Sequence, residues 1–258
     1  MDVVTEHVDV EAADGVADSL FVHPAEGVHP AEGVHPAVVV YMDAYGIRPS
    51  LEALAERLAS HGYAVFVPNV LYRDGRSPVA ENLDEQMRAE DRAPLWAILV
   101  PKIRRLTPDV ARADAKAWMA YVRSRPEADP GPVGTVGYCM GGRLSLRMAG
   151  QFPDVVAAAA SFHGGGLATE EPDSPHLAAV DAGGELYVGH ADNDGSMPPE
   201  QMARLTQALA DAHVRHTAEL YVGAAHGWTQ VDTPAYHEPS AERHWMRMLE
   251  LFGRVLSA

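Results

Sequence analysis

The only cysteine of the sequence, Cys139, lies in a pattern that could make it a nucleophile. It has glycines two residues before and after it, Gly137 and Gly141, between a predicted strand (132–137) and a predicted helix (141–151). Such a turn strains the backbone, and small flanking residues avoid clashes with neighbouring elements. The helix N-terminus would also favour a thiolate and a developing oxyanion. The alternative is a buried structural cysteine beside a glycine-rich turn.

A cysteine nucleophile needs a base to take its proton and a group that orients the base. In parallel sheets, functional residues follow the carboxyl ends of strands, so we considered residues directly after predicted strands. His226 follows the strand predicted at 218–222 and is the first candidate for the base. His163 follows the strand predicted at 155–161 and is the second candidate.

Two aspartates compete for the role of the orienting acid. Asp192 and Asp194 both follow the strand predicted at 185–189. The chain order is then Cys139, aspartate, His226, which is the order of nucleophile, acid and histidine in α/β-hydrolases. The three residue types, each after a predicted strand, indicate a nucleophile–base–acid triad.

The elements that must position these residues alternate between strand and helix. Strands are predicted at 38–42, 63–67, 132–137, 155–161, 185–189 and 218–222, and helices at 49–60, 109–123, 141–151, 198–212 and 240–256. Asp109 is positioned to cap the second of these helices. The segment 68–108 has several prolines and predicts short helices and loops. Repeated β-then-α units predict an α/β fold, with a mostly parallel, doubly wound sheet and helices on both faces.

Composition sets the class of protein. The 258 residues predict one domain over 1–258, since no stretch is typical of a flexible linker. A formal net charge of -16 argues against nucleic acid or an anionic membrane as a partner. The first residues lack the layout of a secretory signal, and no apolar run approaches the roughly 18 residues that span a bilayer. With a single cysteine, these observations predict a cytoplasmic protein.

A short repeat interrupts the N-terminal region. Val-His-Pro-Ala-Glu-Gly occurs at 22–27 and 28–33, and it begins again at 34–37. Histidines six residues apart could suggest a metal site, but the prolines disfavour a helix and the spacing matches no standard ligand motif. We interpret the insert at 22–37 as a turn between two strands that duplication has lengthened.

With these residues assigned, the sequence resembles the dienelactone hydrolases (carboxymethylenebutenolidases), a family with the α/β-hydrolase fold. The most specific motif is Gly-Tyr-Cys-Met-Gly-Gly at 137–142, where that family has cysteine in place of serine. The Gly-Trp pair after His226 is similar to the family's histidine loop, and no Gly-x-Ser-x-Gly motif occurs in the sequence. The resemblance runs from about Asp14 to the terminal helix. It implies hydrolysis of a small-molecule ester or lactone without a metal or organic cofactor.

The resemblance also ranks the two aspartates. The family usually has a proline four residues after its acid, and Pro198 stands at that distance from Asp194. Asp194 is therefore the first choice for the acid. Asp192 fits a spacing of three residues from Gly189 and is the second choice.

Two more residues follow from the resemblance. Asp43 occupies the place of an acidic residue that contacts the resting thiol and exchanges partners when substrate enters, although well-studied members have glutamate. Arg73 resembles one of two arginines that hold a substrate carboxylate. The second arginine is replaced by Thr229-Gln230. A broader range of esters, lactones or thioesters therefore fits at least as well as a dienelactone.

The predicted mechanism is a two-step acyl transfer through an acyl-cysteine. The backbone N–H groups of Met140 and Ala44 are predicted to form the oxyanion hole. His226 is predicted to act as the base first for the thiol and then for the water that releases the acid. The alternatives are a non-catalytic ligand-binding protein of the same fold, and a thioesterase or general carboxylesterase. A monomer or a small homo-oligomer is expected.

Overall fold

The chain begins with a β-hairpin that the sequence patterns above did not predict. The computed structural model, which describes residues 1–25 and 33–256, pairs β1 (Val3–Ala12) with β2 (Gly15–Pro24) in antiparallel orientation. The register runs from Val3 opposite Pro24 to Ala12 opposite Gly15. The two turn residues are Ala13 and Asp14, and Gly15 begins β2. The Asp-Gly pair next to the turn was the available signal in the sequence.

The described residues divide into two compact units, Met1–Gly131 and Pro132–Ala258. In the N-terminal unit, β2 pairs antiparallel with β4 (Ala64–Pro68), and β4 pairs parallel with β3 (Ala37–Tyr41). Helix α1 (Pro49–Ala59) connects β3 to β4. Every residue of β3 and β4 is buried, as continuous apolar runs predict for parallel strands.

The segment predicted as irregular does contain short helices. A 3₁₀ turn at Tyr72–Asp74 is followed by α2 (Leu83–Arg88), α3 (Ala93–Arg104) and α4 (Pro108–Ser124). The predicted cap of α4 was wrong, because Thr107 stands at the cap position. Its side-chain oxygen accepts a hydrogen bond from the Val110 N–H at 3.4 Å, while Asp109 lies in the first turn.

The C-terminal unit is built on parallel strands. They are β5 (Val133–Tyr138), β6 (Val156–Phe162), β7 (Glu185–Ala191) and β8 (His216–Tyr221), paired in that order. Its helices are α5 (Met140–Gln151), α6 (Pro175–Ala179), α7 (Pro199–Asp211) and α8 (Glu238–Val255). Within both units, strands run parallel to their neighbours except at the pairings of β2, so the predicted mostly parallel α/β fold is confirmed.

Two statements about the whole chain stay predictions. One is the single domain over 1–258. The other is the lengthened turn at 22–37, because residues 26–32 of that insert lie outside the described residues. Over the part of the chain that the structure describes, no helix combines the length and apolar character of a membrane span. Over the same part, no group of three or more His, Cys, Asp or Glu could hold a metal ion.

Candidate active site

Cys139 lies at a sharp turn between β5 and α5, and its backbone is strained. Its φ of 56° and ψ of -115° are rare for a residue with a side chain, and such a conformation costs about 1–3 kcal/mol. Two hydrogen bonds hold the turn. The Cys139 N–H donates to the Phe162 carbonyl, and the Gly142 N–H donates to the Cys139 carbonyl, both at 3.1 Å. The residue is partly exposed.

Glycines give this turn the room that it needs. A Cβ atom at Gly137 would collide with the backbone of Gly141 and Gly142. At Gly142 it would collide with the hydroxyl of Ser161. The steric cause that we inferred from the sequence is therefore present at Gly137, and Gly142 adds a second close approach.

His226 and Asp194 form a short hydrogen-bonded ion pair. His226 Nδ1 lies 2.6 Å from Asp194 Oδ2. The aspartate side chain is nearly buried, whereas the imidazole is 31% exposed. Because a carboxylate only accepts, the proton between them belongs to Nδ1. The Cys139 side chain lies close enough to this imidazole to help raise its pKa. The structure thus brings together Cys139, His226 and Asp194, with the histidine between the other two.

Asp192 makes different contacts. Its Oδ2 accepts a hydrogen bond from the Gly223 N–H at 2.9 Å, and its own N–H donates to the Ala224 carbonyl at 2.8 Å. These bonds tie the loop after β7 to the loop after β8 that carries His226. Direct contact with the imidazole favours Asp194 as the acid, and the assignment stays a prediction.

Ser196 contacts the same pair and was missed by the sequence patterns. Its hydroxyl donates to Asp194 Oδ1 at 2.6 Å, and its backbone N–H donates to the same oxygen at 2.8 Å. The hydroxyl oxygen also lies 3.3 Å from His226 Nδ1. Both carboxylate oxygens are therefore held. The available signal was the Asp-Gly-Ser sequence itself, since aspartate often bonds the N–H two residues on.

We expect Ser196→Ala to lower kcat by about three- to tenfold. One of the two hydrogen bonds to Asp194 Oδ1 is lost, while the bond from the backbone N–H remains. The loss of transition-state stabilisation should therefore be at or below the lower end of the free-energy range for hydrogen bonds to charged groups. The Ser196 bonds also lower the pKa of Asp194. The acid limb of the pH–kcat profile should therefore move to higher pH in the variant. Ser196→Thr keeps the hydroxyl as a control, and an unchanged kcat and profile in Ser196→Ala would contradict the expectation.

The two partners shift each other's protonation. Burial lowers the pKa of His226, but hydrogen bonds with Asp194 and Cys139, and attraction to both, raise it to about 10. Burial raises the pKa of the Asp194 carboxyl, but the bonds from His226 and Ser196 hold it below its ordinary value. Both shifts favour an imidazolium beside a carboxylate at neutral pH. A protonated imidazole there can donate a proton to a leaving group.

The free energy of unfolding should fall as pH rises from about 6.5 to about 10. Folded His226 keeps its proton up to about pH 10, whereas the unfolded chain loses it near 6.5. Over this range the unfolded state binds fewer protons, so stability declines with pH. The full contribution of His226 is present below pH 6.5. Urea unfolding of wild type and His226→Gln at several pH values measures the contribution of His226 to the free energy of unfolding. The difference in stability should shrink as pH rises, and a constant difference would contradict the shift.

His163, the second candidate for the base, is buried and contacts a hydroxyl. Its Nε2 lies 2.8 Å from Thr229 Oγ1, and its ring centroid lies 5.2 Å from that of His226. Burial and the nearby charge of His226 lower the pKa of His163 well below its ordinary value. A neutral His163 therefore packs against His226. Contact with Asp194 and Cys139 favours His226 as the base.

The two backbone amides predicted for the oxyanion hole belong to different units. Met140 is the first residue of α5, where N–H groups have no partner within the helix and the helix dipole favours negative charge. Ala44 lies in the turn after β3, in which the Gly46 N–H donates to the Asp43 carbonyl at 3.2 Å. Their joint action on one oxyanion stays a prediction.

Asp43 is held in a buried ion pair. Arg48 donates to both of its carboxylate oxygens, at 2.8 and 2.9 Å, and the Tyr45 N–H adds a bond of 2.9 Å. Both side chains of the pair are at most 5% exposed. Breaking a buried pair costs about 3–5 kcal/mol. The predicted exchange of partners by Asp43 would have to overcome this bond, and its role at the thiol stays a prediction.

Arg73 is also engaged with carboxylates of its own unit. It donates to both oxygens of Asp114, at 2.7 and 2.8 Å, and to Asp14 at 2.7 Å. Its side chain is 18% exposed, and that of Asp114 is 3% exposed. A substrate carboxylate would have to compete with these partners. Substrate binding by Arg73 stays a prediction that these contacts do not favour.

Known proteins resemble this chain over most of its length. The sequence model of the dienelactone hydrolase family matches residues 25–256. The carboxymethylenebutenolidase of Rhodococcus opacus is 28% identical over 223 residues, which are 85% of this chain and 81% of the relative.

Solved structures match the fold. A Klebsiella pneumoniae protein assigned as a dienelactone hydrolase aligns with a TM-score of 0.82 and 24% identity, over 98% of this chain and 99% of that one. An acylaminoacyl peptidase of Pyrococcus horikoshii aligns with a TM-score of 0.69 and 18% identity, over 98% of this chain and 42% of that one. These likenesses confirm the predicted α/β-hydrolase fold.

Proposed function

Since this chain belongs to the dienelactone hydrolase family, we propose that its Cys139 attacks the carbonyl of a small ester or lactone and forms an acyl-cysteine. The family and its named relatives make the chain a carboxylic ester hydrolase. The identity of the nucleophile and the covalent intermediate are our proposal. The observation that carries it is the 2.6 Å bond between His226 and Asp194, together with the effect of the nearby Cys139 on the pKa of the same imidazole.

In the first step, the proton of the thiol resides on His226, whose imidazolium lies beside Asp194, and the sulfur attacks the carbonyl carbon. The negative charge that develops on the carbonyl oxygen is stabilised by the Met140 amide, with Ala44 as the predicted second donor. The carbon–oxygen bond to the alcohol then breaks. The leaving oxygen takes the proton from the imidazolium, which Asp194 orients and stabilises.

In the second step, water replaces the alcohol. His226 removes a proton from the water, and the hydroxide oxygen attacks the acyl carbon. The carbon–sulfur bond breaks, the carboxylic acid leaves, and the sulfur again lies beside a protonated His226. No step requires a metal or organic cofactor. One donor in an oxyanion hole contributes about 3 kcal/mol in known hydrolases, so the Met140 amide is a large part of the proposed rate enhancement.

The substrate is proposed as a small ester, lactone or thioester. The relative from Rhodococcus opacus is named for dienelactone hydrolysis, and a dienelactone is one candidate for this chain. Arg73 is occupied by Asp14 and Asp114, and buried Thr229 and Gln230 stand where the resemblance places a second arginine. Both observations favour a range wider than dienelactones. A thioesterase or general carboxylesterase is therefore the second candidate.

The test is a hydrolysis screen of lactones, aryl esters and thioesters with wild type and Cys139→Ala in parallel. We expect wild type to hydrolyse at least one class and the variant to lose that activity. Equal rates for wild type and variant on every hydrolysed substrate would reject Cys139 as the nucleophile.

A further inference from the structure

His226 is held at one nitrogen, and this bond alone does not fix the direction of its ring. Asp194 Oδ2 lies 2.6 Å and Ser196 Oγ 3.3 Å from the same atom, Nδ1. The other nitrogen, Nε2, is the one left to face a nucleophile in a triad of this kind. The imidazole is partly exposed, so solvent borders part of the ring. A contact on a second part of the ring is therefore needed to fix the position of Nε2.

His163 supplies a contact of this kind from the protein interior. Its ring centroid lies 5.2 Å from that of His226, with 62° between the two ring planes. Such edge-to-face pairs are a favourable arrangement of aromatic rings. Burial, and then the charge of His226, keep the pKa of His163 well below its ordinary value. A neutral ring at this place supports the imidazolium without repelling it or competing for its proton.

Hydrogen bonds hold His163 in turn. Its Nε2 lies 2.8 Å from Thr229 Oγ1, and the side-chain NH₂ of Gln230 donates to the same oxygen at 3.1 Å. The His163 N–H donates to the Gly189 carbonyl at 2.8 Å, which joins the end of β6 to β7. Thr229 and Gln230 are buried, and they follow His226 in the same loop. The two residues that stand in place of a second arginine therefore tie the histidine loop to His163.

The backbone of His163 is strained. Its φ of 42° lies in the left-handed region, which glycine adopts without strain. Three glycines follow directly at 164–166, yet position 163 has a side chain. That side chain packs against the rings of Trp228 and Tyr138, at centroid distances of 4.9 and 6.0 Å. Strained residues persist where the surrounding contacts determine them, and they are frequent at functional sites.

We propose that His163 is a positioning residue, which holds the His226 imidazole in the orientation that directs Nε2 toward Cys139. Thr229 sets the direction of the His163 ring through the 2.8 Å bond. His163 acts through His226 and takes no proton itself, a role different from that of the base for which it was the second candidate. The inference rests on the proposed function, because it concerns the base of the same site.

The first measurement is the hydrolysis of 4-nitrophenyl acetate. His163→Ala should lower kcat about 10- to 100-fold, because a small misplacement of a catalytic group is costly. KM should stay within about threefold of wild type, since the residue is proposed to act on His226 and not on the substrate. His163→Phe keeps a ring but loses the bond to Thr229, so its kcat should be intermediate. It carries the test if His163→Ala does not fold.

Thr229 provides a matched pair of variants. Thr229→Val keeps the shape of the side chain and removes the hydroxyl, and it should lower kcat about three- to tenfold. Thr229→Ser keeps the hydroxyl and should stay within about twofold of wild type. In the His163→Phe background, Thr229→Val should cost less than about twofold, because the bond that it removes is already absent.

The second measurement is independent of turnover. Iodoacetamide reacts with thiolates, and Cys139 is the only cysteine of the sequence, so the rate of alkylation reports on this residue alone. A misdirected His226 stabilises the thiolate less. His163→Ala and His163→Phe should therefore lower the alkylation rate at pH 7, the former by at least about fivefold. A role confined to packing would leave this rate unchanged in the folded variants.

His244→Phe is the control for the loss of a buried histidine. Like His163, His244 is 1% exposed and bonded to a hydroxyl, that of Tyr138 at 3.0 Å, and its ring packs against Phe162 at 4.5 Å. Its kcat and alkylation rate should stay within about threefold of wild type. The inference is overturned if both His163 variants keep kcat and the alkylation rate within threefold, if they change KM alone, or if His244→Phe lowers kcat and the alkylation rate as much as His163→Phe.

Cys139→Ala separates the inference from the proposed function. If that variant keeps full activity on 4-nitrophenyl acetate, the proposed function fails, and the alkylation rate alone decides whether His163 directs His226 toward the thiol. If it loses activity while the His163 variants behave as wild type, only the role of His163 fails.

Discussion

Replacing Cys139 by alanine is expected to lower kcat for a 4-nitrophenyl ester by about 10³-fold or more. The variant lacks the atom that forms the acyl intermediate, and only the oxyanion donors and substrate binding remain to accelerate attack by water. Steady-state hydrolysis measures the loss. Mass spectrometry of a rapidly quenched reaction should show one added acyl group on wild type and none on the variant.

A double variant makes this expectation sharper. His226→Ala should cost about as much as Cys139→Ala, and the double variant should be no slower than either one, because residues that act as a unit have strongly non-additive effects. Unfolding curves of the variants check that each is folded. If the losses of the two single variants multiply in the double variant, the two residues do not act as a unit. Full activity in either single variant would contradict the unit as well.

Asp194→Asn is expected to lower kcat by about 10²- to 10⁴-fold, whereas Asp192→Asn should change it by less than about threefold. Asp194 contacts His226 Nδ1 at 2.6 Å. An amide at position 194 can present its NH₂ group to that nitrogen and favour the wrong tautomer, which costs about 10⁴ in a serine protease triad. Asp192 accepts from Gly223 N–H, and the amide oxygen of asparagine can accept the same bond.

The pair of variants is matched, since both remove one negative charge from the same loop. Long-range electrostatics therefore change equally, and only contact with the imidazole differs. Steady-state kinetics over pH 5–10 provide the comparison. If Asp192→Asn were the slower enzyme, Asp192 would be the acid and the contact with Asp194 would be structural.

The fold could be predicted where one local pattern decided the structure. Continuous apolar runs predicted the buried strands β3 and β4, because a strand buried on both faces needs apolar residues throughout. The β1–β2 hairpin was missed although the Asp14-Gly15 pair lies next to its turn. The cap of α4 was misplaced from Thr107 to Asp109, because two good capping residues lie two positions apart and the sequence alone does not show which one begins the helix.

The site was predictable in its residue types and less so in its contacts. Cys139, Asp194 and His226 follow β5, β7 and β8, so the topology of parallel strands was enough to group them. Which carboxylates would occupy Arg73 could not be predicted, since Asp114 is 41 residues away and Asp14 is 59 residues away. The Asp43–Arg48 pair depends on the turn after β3, and the bonds of Ser196 depend on the loop after β7. Neither loop has a periodic pattern to reveal its shape.

The strained backbone of Cys139 sets thermal stability against activity at one position. Glycine adopts positive φ readily, so a glycine at position 139 would relieve the strain and yield a protein that resists heating better. That protein would have no thiol and could not form an acyl intermediate. Selection for heat resistance alone would therefore drive this chain toward an inert variant. A search for variants of higher thermal stability has to keep cysteine at position 139 and introduce stabilising substitutions at other positions.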